Sequence, residues 1–429
     1  MRVSPQGLLQ IGRCNVRRSV SLVAFDWTRP RDPRVPLGHA SIEANLRAMG
    51  VKTKAFVFSA RDVKPEIEHG IVDAIVAAGT DIIAIGAYVW NVVLVRRVLG
   101  LLRGRGSRAL IVIGGPEVTY APIEELPTRF VGANCFVRGA GEDALVQLAR
   151  GARDIEGVVQ VAAAGRAGFA TVNLAGLPSP YLDGVLVVND DEPMVRWETA
   201  RGCSYACSFC AHPGEPEQRR IRTRNLDVLR QEVALFARHR VKRINVLDPL
   251  FNASPEHAIA VLKELSTADF KGSLTFQCRF LAMRSRTAEL LDRFAALDVE
   301  LEFGIQTTDE HVGDAVARRS ELKPAEKTIR ELQRLGINFS VSLIYGLPEQ
   351  TLASFKDSLR WCRDMGVPTV RSYPLSLLVG TDLWHRQKKL GLVEGFDERM
   401  GDVPVVIETP TMSRDDMLCA AEAARASTL

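Results

Sequence analysis

The sequence predicts an α/β protein in which a doubly wound, Rossmann-like domain precedes a partial (β/α)6 barrel of the TIM type. Three observations carry this. Short apolar runs without polar alternation are separated by helical stretches, the pattern of parallel strands covered on both faces. The pattern stops over residues 151–193, which are rich in Gly and Ala with Pro178, Pro180 and Pro193. It then resumes as six β-α units within residues 194–385, too few to close an eight-stranded barrel. The chain therefore divides into a first domain over 1–150, a linker over 151–193 with room for a small hairpin, the barrel over 194–385, and a short C-terminal segment over 386–429.

In the first domain, residues 19–25 (SVSLVAF) read as a strand, 38–49 as a helix stopped by Gly50, and 51–58 as a second strand rich in Val, Phe and Thr. Residues 67–78 are helical up to Gly79, 81–87 (DIIAIGA) form a third strand, 92–102 a helix, and 109–113 (ALIVI) a fourth strand ahead of Gly114-Gly115-Pro116. A short strand at 134–138 and a helix at 142–149 complete the domain. In the barrel, strands fall at 195–199, 243–247, 273–278, 300–305, 338–344 and 370–375. Helices fall between them at 226–239, 255–265, 288–296, 324–335 and 352–365. The tail reads as an irregular stretch and one helix, 414–424.

Composition narrows the function. Hydrophobic residues at 46% and charged residues at 25% describe a globular chain, not a disordered one. Lys plus Arg (55) against Asp plus Glu (51) leaves +4 over 429 residues, no footprint of a nucleic-acid binder. The longest uncharged apolar run, 82–95, falls short of the ~20 residues of a membrane span. Arg2, Arg13, Arg17 and Arg18 precede no apolar core, so no secretory signal is expected and the expected compartment is the cytoplasm. Eight cysteines are too sparse for a disulfide scaffold in a chain of this length.

Three of the eight crowd together. After the first barrel strand comes Arg201-Gly202-Cys203-Ser204-Tyr205-Ala206-Cys207-Ser208-Phe209-Cys210, spaced C-x3-C-x2-C. Soft thiolates suit iron–sulfur clusters. Cys203, Cys207 and Cys210 can bind three irons of a [4Fe-4S] cube and leave the fourth open to a small molecule. A structural zinc site is the alternative; it needs a fourth ligand, and His212 is close enough to be considered. Cys14, Cys135, Cys362 and Cys419 read as small core residues, whereas Cys278, beside Arg279 in a strand directed at the cleft, is a candidate second functional thiol.

With the aromatic Phe209 before its last cysteine, this motif resembles the signature of the radical S-adenosylmethionine (SAM) superfamily. The resemblance implies that SAM chelates the open iron and is cleaved by one electron to a 5′-deoxyadenosyl radical. That radical abstracts hydrogen from an unreactive C–H position, while the protein orients the cofactor and excludes water. An external electron donor such as flavodoxin or ferredoxin is implied with it. The strand ends then supply the SAM contacts. Asp248 ends the second strand, where the family commonly has Gly-Gly-Glu for the SAM amino group, and Arg279 ends the third. Glu302 and Gln306 end the fourth and suit ribose hydroxyls; Arg318, placed with Arg319 on the next helix, suits the SAM carboxylate; Tyr345 opens Tyr345-Gly346-Leu347-Pro348 at the fifth. Singly, each could equally be a surface or core-lining residue; together, at successive strand ends, they favour a SAM cleft.

The preceding domain resembles the cobalamin-binding domain of the B12-dependent branch. The segments that carry this are Val35-Pro36-Leu37-Gly38, Ala87-Tyr88-Val89-Trp90-Asn91, Gly114-Gly115-Pro116-Glu117-Val118-Thr119 and Arg138-Gly139-Ala140-Gly141-Glu142. The implied cobalamin contacts are Gly38, Tyr88, Trp90, Asn91, Gly114, Gly115, Glu117, Val118, Gly139, Gly141 and Glu142, with glycine letting backbone N–H groups approach a large ligand. Many B12 domains supply an axial histidine through D-x-H-x-x-G, which residues 1–150 lack. Asp309-Glu310-His311-Val312-Gly313 is one residue short and lies in the barrel, and His39 has no acid two residues before it. Cobalamin is therefore expected without a protein histidine on cobalt. Gly139-x-Gly141-x-x-Ala144 mimics a dinucleotide fingerprint but follows the last strand of its domain, not the first. The basic run from Arg219 to Arg224 fits either an acidic group on substrate or cofactor, or a solvated loop.

The resemblance implies a B12-dependent radical SAM methyltransferase. One SAM would methylate cob(I)alamin, and a second would give the radical that readies an unactivated carbon of a small-molecule or natural-product intermediate to take the methyl group from methylcobalamin. Cyclisation or rearrangement with the same cofactors is an alternative, as is a non-catalytic iron–sulfur or corrinoid sensor, which would need no SAM cleft. Methylthio transfer to tRNA is opposed by the near-neutral charge, the absence of an appended RNA-binding barrel and the lack of a second cysteine triad. No length is left for a large substrate domain, so the substrate is expected between the two modules. Oligomeric state has no readable signal.

Overall fold

The computed structural model describes residues 18–29, 32–162, 168–211, 219–284, 286–319, 321–397, 400 and 403–427. Cys14 and His212 lie outside them.

The first domain is a sheet of strands β1 (Val20–Asp26), β2 (Thr53–Ser59), β3 (Ile82–Gly86), β4 (Leu110–Gly114) and β5 (Cys135–Val137), parallel and ordered β2-β1-β3-β4-β5. Alternate residues of a strand face opposite sides, and here both sides are apolar. Val23, Phe25, Ile83, Ile85, Ile111 and Ile113 pack with α2 (Pro65–Ala77) and α3 (Val92–Gly104). Val20, Leu22, Ile82, Ala84 and Val112 pack with α1 (Leu37–Ala48) and α4 (Gly141–Ala149). Double coverage explains why these strands lack polar alternation. Strand order reverses at β1, which has β2 on one side and β3 on the other. Ligands of open α/β sheets bind outside the carboxyl ends of the strands at such a point.

The linker segment differs from the sequence reading. Instead of a small hairpin of its own, it adds β6 (Val158–Gln160) antiparallel to β5, so the first sheet continues past residue 150.

The second sheet is ordered β14-β13-β12-β11-β10-β7, every neighbouring pair parallel, from β7 (Val195–Trp197) through β10 (Arg243–Val246), β11 (Ser273–Cys278), β12 (Val299–Gln306) and β13 (Asn338–Tyr345) to β14 (Thr369–Pro374). Helices α5 (Leu226–Arg238), α6 (Pro255–Thr267), α7 (Thr287–Ala295), α8 (Leu322–Arg334) and α9 (Leu352–Asp364) separate successive strands. Side-chain caps from Asn225, Ser254 and Thr351 start α5, α6 and α9. On β12, Val299, Leu301, Phe303 and Ile305 are buried in the core under the helices. Glu300, Glu302, Gly304 and Gln306 occupy the other, half-buried face. Two further strands, β8 (Ala200–Arg201) and β9 (Arg222–Thr223), pair antiparallel on either side of the cysteine loop. The tail is more ordered than expected: β15 (Val393–Phe396) and β16 (Pro404–Glu408) form a hairpin before α10 (Arg414–Ser427). Among the described residues, no helix is long and apolar enough to cross a membrane.

Candidate active site

The cysteine loop is held from below by a buried acid. Asp248 follows β10 and is 1% exposed. Its Oδ1 accepts from the Thr199 and Ala200 N–H groups at 2.7 and 3.0 Å, and its Oδ2 from Thr199 Oγ1 at 2.5 Å. Burial pushes its pKa up to about 7. Asp248 thus anchors the strand that leads into the cysteines and does not face the cleft, which corrects the SAM-amino contact expected of it. On the other side, Ser208 N–H donates to Val316 O and Leu383 N–H to Ser208 O, both at 3.0 Å. Phe209 is half-buried against the apolar cluster that includes Val312, Val316, Leu347 and Leu383.

Cys203 and Cys210 are half-buried and Cys207 is buried, all three as free thiols. Two arginines attend them. Arg318 Nη1 lies 3.5 Å from Cys207 Sγ, and Arg279 lies beside the same cysteine with its guanidinium 3.5 Å over the Tyr205 ring. Arg279 Nη1 is covered and has no hydrogen-bond partner. Arg318 sits in the turn after the short helix Glu310–Ala315, not on a helix as the sequence suggested. Gln306, left-handed at φ 71°, converges with it: a Cβ at Gly304 would lie 2.4 Å from Gln306 Nε2 and 3.0 Å from Arg318 Nη2. Cys203, Cys207, Cys210, Arg279, Gln306 and Arg318 therefore share one end of the barrel.

Among the described residues, no three His, Cys, Asp or Glu side chains gather as a single metal ion requires. Three soft thiolates flanked by the Arg318 and Arg279 cations suit an anionic iron–sulfur cluster. The donor set fits [4Fe-4S].

The other residues expected here lie elsewhere. Glu302 is bound to Arg371 at 2.7 Å and to Gln277, inside the barrel. Tyr345 is in the core, its ring 5.4 Å from Phe355. Cys278 also faces the core, and burial raises its thiol pKa well above the usual range, so it is no second functional thiol. Asp309 caps its short helix through the His311 and Val312 N–H groups, and His311 pairs with Glu349, a local structural role.

A cavity of about 830 Å³ opens at the carboxyl ends of β1, β3, β4 and β5 and is closed on the far side by the barrel. Its deep wall is apolar, with Leu22, Ala84 and Val112; its barrel wall includes Glu198, Arg201, Gly202 and Arg222. That volume suits an organic cofactor, not an ion. Of the residues named from the sequence, Gly38, Tyr88, Gly114, Gly115, Gly139, Gly141 and Glu142 line it. Trp90, Asn91, Glu117 and Val118 do not. Trp90 backs the Tyr88 ring at 4.6 Å. Asn91 Nδ2 donates to Phe25 O and Gly86 O while its Oδ1 accepts from Tyr88 N–H, which ties the strand ends together. Glu117 pairs with Arg129 at 3.2 Å, and Val118 is core. Gly115 and Gly139 are needed for backbone packing: at φ 96° and 91°, a Cβ would sit 2.5 Å from Ala87 O and 2.4 Å from Ala170 O respectively.

Arg201 and His39 also line the cavity, though neither was among the cofactor contacts expected from the sequence. Arg201 Nη2 donates to Glu142 Oε1 at 2.6 Å and its Nε to Glu198 Oε1 at 2.7 Å, a bridge between the domains. The signal was its place two residues before Cys203. His39 lines the cavity with Nε2 covered and unpartnered, and burial lowers its pKa to about 4.

Comparison with known proteins agrees with this geometry. Residues 197–362 match the Radical SAM superfamily, and residues 33–149 match the B12 binding domain. The 2-(S-pantetheinyl)-carbapenam-3-carboxylate methyltransferase of Streptantibioticus cattleyicolor is 27% identical over 424 residues, covering 90% of this chain and 59% of that protein. The cobalamin-dependent radical SAM methyltransferase TokK of Streptomyces tokunonensis is 28% identical over 375 residues, covering 82% of this chain and 53% of TokK. The chain thus spans little more than half the length of these relatives. In fold it is similar to the radical SAM methyltransferase TsrM of Kitasatospora setae, solved with tryptophan and a SAM analogue, at a TM-score of 0.73 and 16% identity, covering 96% of this chain and 89% of TsrM. The fold and the three-cysteine loop thus define a radical SAM protein. More narrowly, with its B12-binding domain ahead of the barrel, the chain belongs to the cobalamin-binding members of the radical SAM superfamily.

Proposed function

We propose that this chain is a cobalamin-dependent radical SAM methyltransferase that methylates an unactivated carbon of a small-molecule, natural-product-type intermediate. One observation carries the reading: Arg201 and Gly202, which lead directly into Cys203, also form a wall of the cavity at the end of the first sheet. The two cofactor sites therefore share a boundary, as methyl relay between them requires. When bound, the cluster and SAM supply radical chemistry and the corrinoid supplies a transferable methyl group.

Within that reading, Cys203, Cys207 and Cys210 hold the cluster, and Arg318 and Arg279 balance its charge and face the SAM carboxylate. Gln306 offers an amide to the SAM ribose. The apolar strand ends and Tyr88 bed the corrinoid and keep water from it. The two methyltransferase relatives support methyl transfer over rearrangement. An external electron donor such as flavodoxin or ferredoxin, a cytoplasmic setting and a substrate other than nucleic acid complete the proposal; the near-neutral charge supports the last of these.

Anaerobic reconstitution tests it. The chain should retain corrinoid and about four irons through gel filtration, and turn SAM over to 5′-deoxyadenosine. A product heavier by one methyl group is expected. A product of unchanged mass would favour cyclisation or rearrangement, and absence of SAM turnover under reduction would favour a sensor.

A further inference from the structure

Tyr205 lies midway between Cys203 and Cys207, so its ring is carried by the loop that presents the thiols. The Arg279 guanidinium sits 3.5 Å over the centre of that ring, a cation–π contact. Little else holds the guanidinium. Asn252 ties down the Arg279 backbone, accepting from its N–H at 3.1 Å and donating to its carbonyl at 2.9 Å. The head group itself reaches Arg319 O only at 3.4 Å through Nη2, and Nη1 has no hydrogen-bond partner. Among the described residues, no carboxylate pairs with Arg279 or with Arg318. Burial and the neighbouring Arg318 charge both hold the Arg279 pKa below the usual arginine range, so the two cations repel each other beside Cys207.

A cation beside a thiolate ligand favours the reduced, more negative cluster, and charge around the sulfurs is one of the features that set such potentials. Repelled by Arg318, an untethered Arg279 would turn away from Cys207. The negative face of the Tyr205 ring opposes that, at a residue 7% exposed, where the attraction is little weakened by water. Resting on the assignment of the cluster to Cys203, Cys207 and Cys210, we propose that Tyr205 is a positioning residue whose ring face holds Arg279 against Cys207 and so raises the reduction potential of the cluster. It acts through Arg279.

The test uses the full chain, reconstituted anaerobically without SAM, and reads the cluster's midpoint potential by redox titration with EPR detection. Tyr205→Leu should lower the potential by ~59 mV, about tenfold in the ratio of reduced to oxidised cluster. Tyr205→Phe keeps the ring face and should stay within about twofold of the parent. Arg279→Gln should lower the potential as Tyr205→Leu does, and the double variant should fall no further than either single one. An unchanged potential in Tyr205→Leu overturns the proposal. So does an equal fall in Tyr205→Phe, which would assign the effect to the hydroxyl, and so do additive falls in the double variant, which would make the ring independent of Arg279. If Tyr205→Leu does not hold iron, phenylalanines of rising ring fluorination at position 205 keep the shape and drain the negative face. The potential should then fall step by step, and absence of a trend overturns the proposal. A parent chain that retains no iron breaks the cluster assignment itself, an outcome distinguished by appearing before any substitution.

Discussion

Arg201 and Glu142 meet at 2.6 Å across the boundary between the two domains, joining the approach to the cluster cysteines to the first turn of α4. Burial alone would raise the Glu142 pKa, but the Arg201 charge and hydrogen bond outweigh it and hold the carboxyl below its ordinary range. Removing one partner of a buried pair leaves the other uncompensated. Glu142→Ala should therefore lose about 3–5 kcal/mol in urea unfolding, with Glu142→Gln intermediate. The parent's advantage over Glu142→Gln should be complete above the unfolded-state pKa of about 4.3 and shrink as pH falls below it. Equal stability of parent and Glu142→Ala would show the bridge to be incidental.

Asp248 gives the opposite pH dependence. Its folded pKa of about 7 lies above the unfolded value of about 4, so the folded chain binds the extra proton between them. Stability of the parent relative to Asp248→Asn should be greatest near pH 4, decline towards pH 7 at no more than about 1.4 kcal/mol per unit, and level off above. Unfolding curves at matched pH values check this; a flat difference would contradict it. Because Asp248 anchors Thr199 and Ala200, the variant should also broaden the EPR signal of the reduced cluster.

Gly139 has no room for a side chain. Gly139→Ala combines a left-handed backbone with a Cβ 2.4 Å from Ala170 O and should cost at least ~2 kcal/mol, read as a lowered melting temperature. Gly79→Ala, also left-handed but open around its Cβ, should cost only the backbone part, about 1 kcal/mol.

Alanine at Cys203, Cys207 or Cys210 should abolish iron retention and 5′-deoxyadenosine formation while leaving the far-ultraviolet circular dichroism unchanged. Full turnover in any one of them would refute the cluster assignment.

The sheets were legible because doubly covered parallel strands are continuous apolar runs: residues 273–278 were read to the residue, and other strands to within one or two. The cysteine loop was legible because its spacing is itself the chemistry. What escaped depends on contacts distant in sequence. The β8–β9 pair sets Arg201 against Arg222 through two residues on each side, too short for any periodicity. β6 exists only because β5 offers an unpaired edge. Asp248 ends its strand as expected, but whether a strand-end acid turns to the cleft or to its neighbour's backbone depends on packing. Glu117 and Val118 were carried in by a glycine-rich motif whose backbone, not these side chains, shapes the cavity.

The lacing of residues 157–160 and of Ala170 onto the first domain governs how the two halves can be separated or recombined. Arg138 N–H donates to Gly157 O, and Ala170 exchanges hydrogen bonds with Arg138 and Ala140. A fragment ending at residue 150 would expose the β5 edge and invite strand-to-strand aggregation. Val172, Leu174 and Leu177 still pack on Ala140, whereas Ser179 is bound to Glu232 of the barrel at 2.5 Å. The seam for exchanging corrinoid modules between related enzymes therefore falls at Pro178, and any graft must carry an acid at 142 to meet Arg201.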